Sequence, residues 1–226
     1  MTATPSRNSP SEADHGIGAA IAEARAFGWA SRQVDNFSFF AGLAHIYGLE
    51  PVRNHATAPL EQALTPKSIA EARPGSMSAS VGLGRQPFHT DGAHLAVPPS
   101  IVLLYSPTKN STETLICKLG PPPSSVSDLA TFGNFVIRNE ASSRLSPAYH
   151  DSRWRYDPGC MDPLDGRSRQ LVEWIQMRTR SAESFQWNLE NSVLIIDNTM
   201  CLHARAATET TGSERELLRV CLSEEK

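Results

Sequence analysis

The sequence predicts a mainly β protein in which strands close into a barrel and helices flank it. Residues 101–105 and 193–196 are apolar runs with the length and composition of buried β-strands. A Pro-Pro pair precedes the first run, and a turn-forming Asp-Asn pair follows the second. Closure between strands so far apart in the sequence suits a β-barrel.

Four helices are expected around this barrel. Apolar residues recur at helical spacing from Ile17 to Phe27 and from Phe37 to Tyr47, where Gly48 stops the second helix. We expect both helices to pack against the outside of the barrel. Farther along, a short helix near residues 125–131 precedes a strand at 135–137, and Asp165 caps a helix.

Length and composition favour one folded domain. The chain has 226 residues, of which 40% are hydrophobic, and this is enough for a sizeable core. Residues 1–12 are rich in Ser, Thr and Pro and are predicted to be a disordered tail. Residues 13–226 are predicted to form the single domain, with loops and short strands at 50–75, where prolines interrupt regular structure.

Charge and cysteine usage exclude several classes of protein. The net charge is −3 and no Lys/Arg-rich run is present, which argues against binding to a nucleic-acid backbone. No apolar stretch approaches the ~20 residues that span a bilayer, and the polar start predicts a cytoplasmic protein. The four cysteines form no Cys-x-x-Cys pair and are predicted to be reduced core thiols.

The segment His89-Thr90-Asp91 carries two metal-binding side chains at positions that an extended chain turns to the same side. We therefore predict a short polar strand that presents both of them. His203 follows the second apolar run after its turn. Two imidazoles and one carboxylate can occupy one face of an octahedral Fe(II) and leave the other face open. The order of these residues along the chain, more than the tripeptide itself, indicates a non-haem iron site.

Two arginines follow the third ligand. If the chain is extended there, Arg215 and Arg219 face the same side as Leu217 and Cys221. Guanidinium groups that point inward need anionic partners.

From about Ser76 to Leu222 the chain resembles the taurine dioxygenase and clavaminate synthase group of Fe(II)/2-oxoglutarate-dependent oxygenases. Residues 88–91 with the following Pro-Pro pair resemble the proximal metal segment of that family. Residues 194–198 and 202–205 resemble its distal segment, and residues 215–219 its closing strand. The resemblance implies a double-stranded β-helix, that is, a cupin-like jelly roll.

The same resemblance implies roles for individual residues. His89, Asp91 and His203 would hold Fe(II). Arg215 would pair with the distal carboxylate of 2-oxoglutarate, and Thr114 would add a hydroxyl donor. Arg219 would contact either the cosubstrate or an anionic group of the prime substrate.

Two further polar residues are candidates for the substrate pocket. Arg205 lies two residues after His203 and so shares its strand face, although a surface salt bridge is an equal alternative. His94, three residues beyond Asp91, could touch the substrate or occupy a surface loop.

The implied function is an Fe(II)- and 2-oxoglutarate-dependent oxygenase that uses O2 and releases succinate and CO2. The expected reaction is hydroxylation of a C–H bond in a small, carboxylate-bearing metabolite such as an amino acid or a natural-product intermediate. The Asp91 carboxylate argues against halogenation, because related halogenases have a small residue there. The alternatives are desaturation or cyclisation by the same cofactors, a cupin-type isomerase, lyase or hydrolase without 2-oxoglutarate, and a metal-free binding barrel.

Overall fold

The computed structural model describes residues 12–73, 76–139, 142–209 and 216–225. The helices of these residues are α1 (Glu12–Phe27), α2 (Phe37–Gly42), α3 (Met77–Val81), α4 (Ser124–Phe132) and α5 (Gly166–Arg178), with 3-10 turns at Leu43–Tyr47 and Thr179–Ser181. The strands are β1 (Trp29–Gln33), β2 (Leu49–Val52), β3 (Glu61–Leu64), β4 (Ile101–Ser106), β5 (Asn110–Lys118), β6 (Phe135–Asn139), β7 (Ser142–Ser146), β8 (Tyr149–His150), β9 (Arg153–Trp154), β10 (Met161–Pro163), β11 (Glu183–Trp187), β12 (Ser192–Asp197), β13 (Cys201–Arg205) and β14 (Leu217–Glu224).

Two antiparallel sheets form the body of the protein. The major sheet has the order β1-β12-β4-β14-β2, with β3 also paired to β14, and the minor sheet has the order β11-β5-β13. Val102 and Leu104 of the major sheet and Ile116 of the minor sheet belong to one buried apolar layer between them. This arrangement confirms the predicted mainly β fold, with strands distant in sequence closing around a common interior.

Both apolar runs are continuous because the major sheet is buried on its two faces. Along β4, Val102 and Leu104 point into the interior, whereas Ile101, Leu103 and Tyr105 belong to the layer under α1 and α2. The predicted packing of the two N-terminal helices on the outside of the barrel is therefore confirmed.

The second helix stops at Gly48 as predicted, whereas the apolar face of the first helix is shorter than predicted. Asn36 caps α2, since its side chain accepts a hydrogen bond from the Phe39 amide. The helix then tightens into the 3-10 turn and stops at Gly48, whose φ of 70° suits glycine. Phe27, expected on the apolar face of α1, is 71% exposed, so that face ends before the last turn of the helix.

Helices α4 and α5 cover the outer face of the minor sheet. Their buried residues Val126, Ala130, Leu171 and Ile175 share a second apolar cluster with Leu202 of β13. Asp165 caps α5 as predicted, through a reciprocal pair of hydrogen bonds with Ser168. A small sheet in the order β10-β6-β7 lies beside these helices, and its β6 contains the strand predicted at residues 135–137.

The segment that carries the first two metal-ligand candidates is not a regular strand, contrary to expectation. His89 forms an isolated β-bridge with His203, and a turn begins at Asp91. Gly92 permits this turn because its φ is 66°, and a Cβ there would lie 2.6 Å from Cδ of Pro99. Residue 92 must therefore be glycine, and the extended segment ends directly after Asp91.

Other expectations have simple outcomes. Of the predicted loop region at 50–75, the described residues 50–73 contain the short strand β3 and part of β2 among loops, as predicted. All four cysteines are free thiols, and Cys117, Cys201 and Cys221 are buried. Arg215 and residues 1–11 of the predicted tail lie outside the described residues, whereas Glu12 begins α1. No helix in the described ranges is both long and apolar enough to cross a membrane.

Candidate metal centre

The structure brings His89, Asp91 and His203 together in the interior of the barrel. One donor atom from each residue lies within 4.8 Å of the other two, and all three residues are buried. The β-bridge explains this meeting: His89 and His203 exchange backbone hydrogen bonds of 3.0 and 2.9 Å, so their side chains leave adjacent chain segments. Residues 114 positions apart in sequence thus share one site.

The spacing of two of these donors fits a small divalent metal. Nε2 of His203 lies 3.3 Å from Oδ2 of Asp91. Two ligands at right angles, each about 2.1 Å from a metal, would be about 3 Å apart. Within the described part of the chain, Asp91 Oδ2 and His203 Nδ1 are buried without a hydrogen-bond partner. A buried carboxylate oxygen aimed at an imidazole and bound to nothing else is the arrangement expected of a metal ligand.

Hydrogen bonding orients the proximal imidazole. Nδ1 of His89 lies 3.0 Å from the carbonyl oxygen of Pro87, and donation there leaves Nε2 free to bind a metal. Burial, and then the neighbouring His203, lowers the pKa of His89. The neutral ring that results is the form that binds metals.

Asp91 is held as a carboxylate by a cation. Burial raises its pKa, but the Arg219 guanidinium, followed by His203 and His89, outweighs burial, so the net pKa lies well below the usual range. Arg219 donates to Oδ1 of Asp91 and also to the side-chain oxygen of Gln62 on β3. Arg219 therefore faces the interior as predicted, on the side of β14 that also carries Leu217 and Cys221.

Gln62 was not identified from the sequence. It lies in a proline-interrupted region without periodicity, and it reaches the site because β3 pairs with β14, which sets Gln62 opposite Arg219. Its oxygen also lies 3.4 Å from Nδ2 of Asn54. No sequence signal marked this pairing.

Asn198 was predicted to be a turn residue but also contacts the site. Its side-chain oxygen accepts the Asp91 amide at 2.9 Å, and its side-chain nitrogen donates to the Asp91 carbonyl at 3.1 Å. The same nitrogen donates to the Pro99 carbonyl at 2.8 Å. The Asp-Asn turn marked this position in the sequence, but the contact with Asp91 could not be seen there.

Thr114 faces the interior from β5, as required of a cosubstrate ligand. Its hydroxyl accepts a hydrogen bond of 3.2 Å from the indole of Trp187, so its own proton remains available to a ligand. Ile116 is the strand partner of His203. Thr114 lies two residues from Ile116, a distance of about 7 Å along β5.

Arg205 is buried, and backbone oxygen atoms surround its guanidinium. It donates to the carbonyls of Gly82 at 2.7 Å and Gly84 at 2.9 Å, and more weakly to Leu83. These bonds fasten the segment that leads to His89 onto β13. Most N–H groups of this guanidinium are thus engaged by backbone carbonyls. A contact of Arg205 with the substrate stays a prediction.

His94 is partly buried in the turn that follows Asp91. Its Nε2 lies 2.6 Å from the carbonyl oxygen of Asn54. Arg155 holds the same turn from the other side, with donors 2.7 Å from the Ala93 carbonyl and 2.6 Å from the Leu95 carbonyl. The turn that carries His94 is thus fixed beside the metal-ligand candidates.

Comparison with known proteins agrees with this architecture. No protein-family model matches the sequence, and no curated protein matches it. An asparagine oxygenase solved with Fe(II), 3-hydroxyasparagine and succinate has a TM-score of 0.71 and 15% identity, over 96% of this chain and 80% of that chain. OrfP, a non-haem iron oxygenase solved with Fe and alpha-ketoglutaric acid, has a TM-score of 0.73 and 16% identity, over 96% and 80%.

The protein has the fold of these two solved oxygenases. PvcB from Pseudomonas aeruginosa shares it, with a TM-score of 0.64 and 16% identity over 98% of this chain and 86% of that chain. The predicted cupin-like jelly roll is confirmed. In this fold, the three metal-ligand candidates lie where β13 meets the segment before β4.

Proposed function

We propose that this protein is an Fe(II)- and 2-oxoglutarate-dependent oxygenase that hydroxylates a C–H bond of a small, carboxylate-bearing molecule. The observation that carries the proposal is the buried group of His89, Asp91 and His203 inside the barrel. Two imidazoles and one carboxylate are the ligand set of non-haem Fe(II) oxygenases. The fold shared with two iron oxygenases supports the same conclusion.

The roles of protein and cofactors divide clearly. Iron and 2-oxoglutarate, when bound, supply the oxidising chemistry with O2, and succinate and CO2 are the co-products. The chain contributes a neutral His89, an ionised Asp91 and a water-poor interior that strengthens charge interactions with bound anions. Thr114 offers a hydroxyl donor to the cosubstrate from β5, the strand that pairs with the strand of His203.

Arg219 is the described cation best placed to bind a carboxylate in the site. Two of its N–H groups already donate to Asp91 and Gln62, so an anion bound to the remaining N–H groups would lie next to the metal. Arg215 lies outside the described residues, and its pairing with 2-oxoglutarate stays a prediction from the family resemblance. With Arg215 assigned to the cosubstrate, Arg219 is left for a carboxylate of the prime substrate.

Amino acids are the favoured substrate class. The asparagine oxygenase was solved with 3-hydroxyasparagine, and OrfP was solved with (3S)-hydroxy-L-Arg. Both ligands carry the carboxylate that Arg219 could bind here. The predicted partner is therefore a small molecule, with neither nucleic acid nor membrane involved, and a cytoplasmic location stays a prediction that the four free thiols support.

Absorption spectroscopy under anaerobic conditions tests the proposal. Metal-free protein is mixed with Fe(II) and then with 2-oxoglutarate, and we expect the visible charge-transfer band of a bidentate chelate. The His203→Ala variant is expected to lack the band, while Arg25→Ala, altered at a surface ion pair, should retain it. Metal binding without a band would favour a cupin-type isomerase, lyase or hydrolase that does not use 2-oxoglutarate.

A further inference from the structure

Asn198 holds the backbone of Asp91 in the way that a neighbouring strand would. The amide N–H and the carbonyl of Asp91 are both bonded to the Asn198 side chain, at 2.9 and 3.1 Å. Two residues earlier, His89 exchanges the same pair of bonds with the backbone of His203. A side-chain amide has one acceptor and two donors, so it can replace a peptide group as a ladder partner.

The replacement is needed because the pairing of this segment with β13 ends at the isolated bridge of His89. The chain turns at Gly92, so Asp91 has no strand beside it, and its backbone groups are buried. Buried backbone N–H and C=O groups require partners. Asn198 supplies both, and it is itself completely buried.

Asn198 also joins the two halves of the metal site. Its backbone N–H donates to the Ser100 carbonyl at 2.9 Å, and its side chain donates to the Pro99 carbonyl at 2.8 Å. Five residues later the same chain segment provides His203. The residue therefore ties the turn before β13 to Asp91 and to the start of β4.

We propose that Asn198 is a positioning residue that sets the Asp91 carboxylate against His203 and thereby sets the metal affinity of the site. A ligand set works only when each group is held within about 0.5 Å of its place. Asp91 has no regular strand to hold it, so the Asn198 side chain supplies that precision. This inference rests on the metal site of the proposed function.

The chemistry at position 198 is restrictive. Aspartate could accept the Asp91 N–H but could not donate to the two carbonyls. Serine and alanine are too short to reach all three partners. We therefore expect that no shorter or acidic side chain reproduces this set of bonds.

Metal titration of folded variants tests the proposal without turnover. Co(II) is added to metal-free wild type, Asn198→Ala and Asn198→Ser, and binding is followed by the visible absorption of the metal. We expect the affinity of both variants to fall by roughly 10- to 100-fold, the range for groups that orient metal ligands. The serine variant, which removes less of the side chain, provides the measurement if the alanine variant does not fold.

The control is Ser168→Ala in the capping box of α5, which removes a fully buried hydroxyl from another part of the fold. Its stability should fall in urea unfolding, while its Co(II) affinity should stay within twofold of wild type. Asn198 variants that bind Co(II) as tightly as wild type would overturn this inference but not the proposed function. A control variant that loses as much Co(II) affinity as the Asn198 variants would do the same. Wild-type protein that binds no Co(II) would overturn the proposed function and this inference together.

Discussion

Replacing Arg219 by methionine should destabilise the metal-free protein far more than the metal-bound protein. Methionine keeps the apolar stem and removes the cation that faces Asp91. The side chains of Arg219 and Asp91 are 17% and 5% exposed, so solvent cannot replace the lost partner. Breaking a buried ion pair by removing one member costs about 3–5 kcal/mol. At about 2–4 °C per kcal/mol for a chain of this size, Tm should fall by roughly 6–20 °C.

A bound divalent metal changes this balance because it compensates the charge of Asp91. The bond from Arg219 to Gln62 is lost with and without metal, so it cancels in the comparison. Apart from it, the metal-bound variant should lose only the hydrogen bond at Oδ1, or about 1 kcal/mol. The loss of unfolding free energy without metal exceeds the loss with metal by about 2–4 kcal/mol. Because stability and binding form a closed thermodynamic cycle, this difference must appear as tighter metal binding by the variant. At 1.4 kcal/mol for each factor of ten, this corresponds to an increase of roughly 30- to 700-fold in affinity.

Urea unfolding with and without saturating Co(II), together with direct metal titration, measures all four sides of the cycle. Arg25→Met is the matched control, because the Arg25–Glu224 pair lies at the surface with side chains 42% and 40% exposed. Its loss should be about 1 kcal/mol or less, with or without metal. Equal losses for Arg219→Met in the two conditions would refute the idea that Arg219 compensates Asp91 in the metal-free protein.

Three further predictions follow from named contacts. Arg219→Met should raise KM for the prime substrate; a rise confined to KM for 2-oxoglutarate would assign Arg219 to the cosubstrate instead. Thr114→Val should raise KM for 2-oxoglutarate roughly fivefold, the equivalent of one hydrogen bond of about 1 kcal/mol, and an unchanged KM would remove Thr114 from that site. Burial raises the pKa of Glu224, but bonds from Ser100, Arg153 and Arg25 outweigh it and lower the pKa from 4.5 to about 2. Because the folded pKa is depressed, this stabilisation is present above about pH 4.5 and is lost as the pH falls towards 2. In urea unfolding at pH 7, Glu224→Gln should therefore be about 1 kcal/mol less stable than wild type, and this difference in unfolding free energy should disappear in acid. A difference that does not change with pH would show that the ionised Glu224 is not its cause.

The candidate metal ligands could be predicted because their signals are local or chemical. His89 and Asp91 are two residues apart in an extended segment, which by itself turns them to the same side. The apolar runs of β4 and β12 have strand-like length and composition, and the helical spacing of α1 and α2 marks their buried faces. The donor set of two imidazoles and one carboxylate then indicated the kind of metal before any contact was known.

Other features were decided only when the chain folded. Gln62 meets Arg219 because β3 pairs with β14 across more than 150 positions of sequence, and no local pattern records that register. The Asp91 segment was predicted to be a strand, but the chain turns there, at a glycine whose φ is 66° and whose neighbour Pro99 leaves no room for a side chain.

The main helices, the two apolar strands and the side chains able to bind a metal can be read from the amino-acid sequence, because periodicity and donor chemistry are properties of neighbouring residues. The pairing of the buried polar groups with one another can be read only from the folded chain. Arg205 bonds to the carbonyls of Gly82 and Gly84, and Asn198 replaces a strand beside Asp91. A buried donor takes the nearest acceptor that the finished packing leaves open, and that acceptor depends on every element around it.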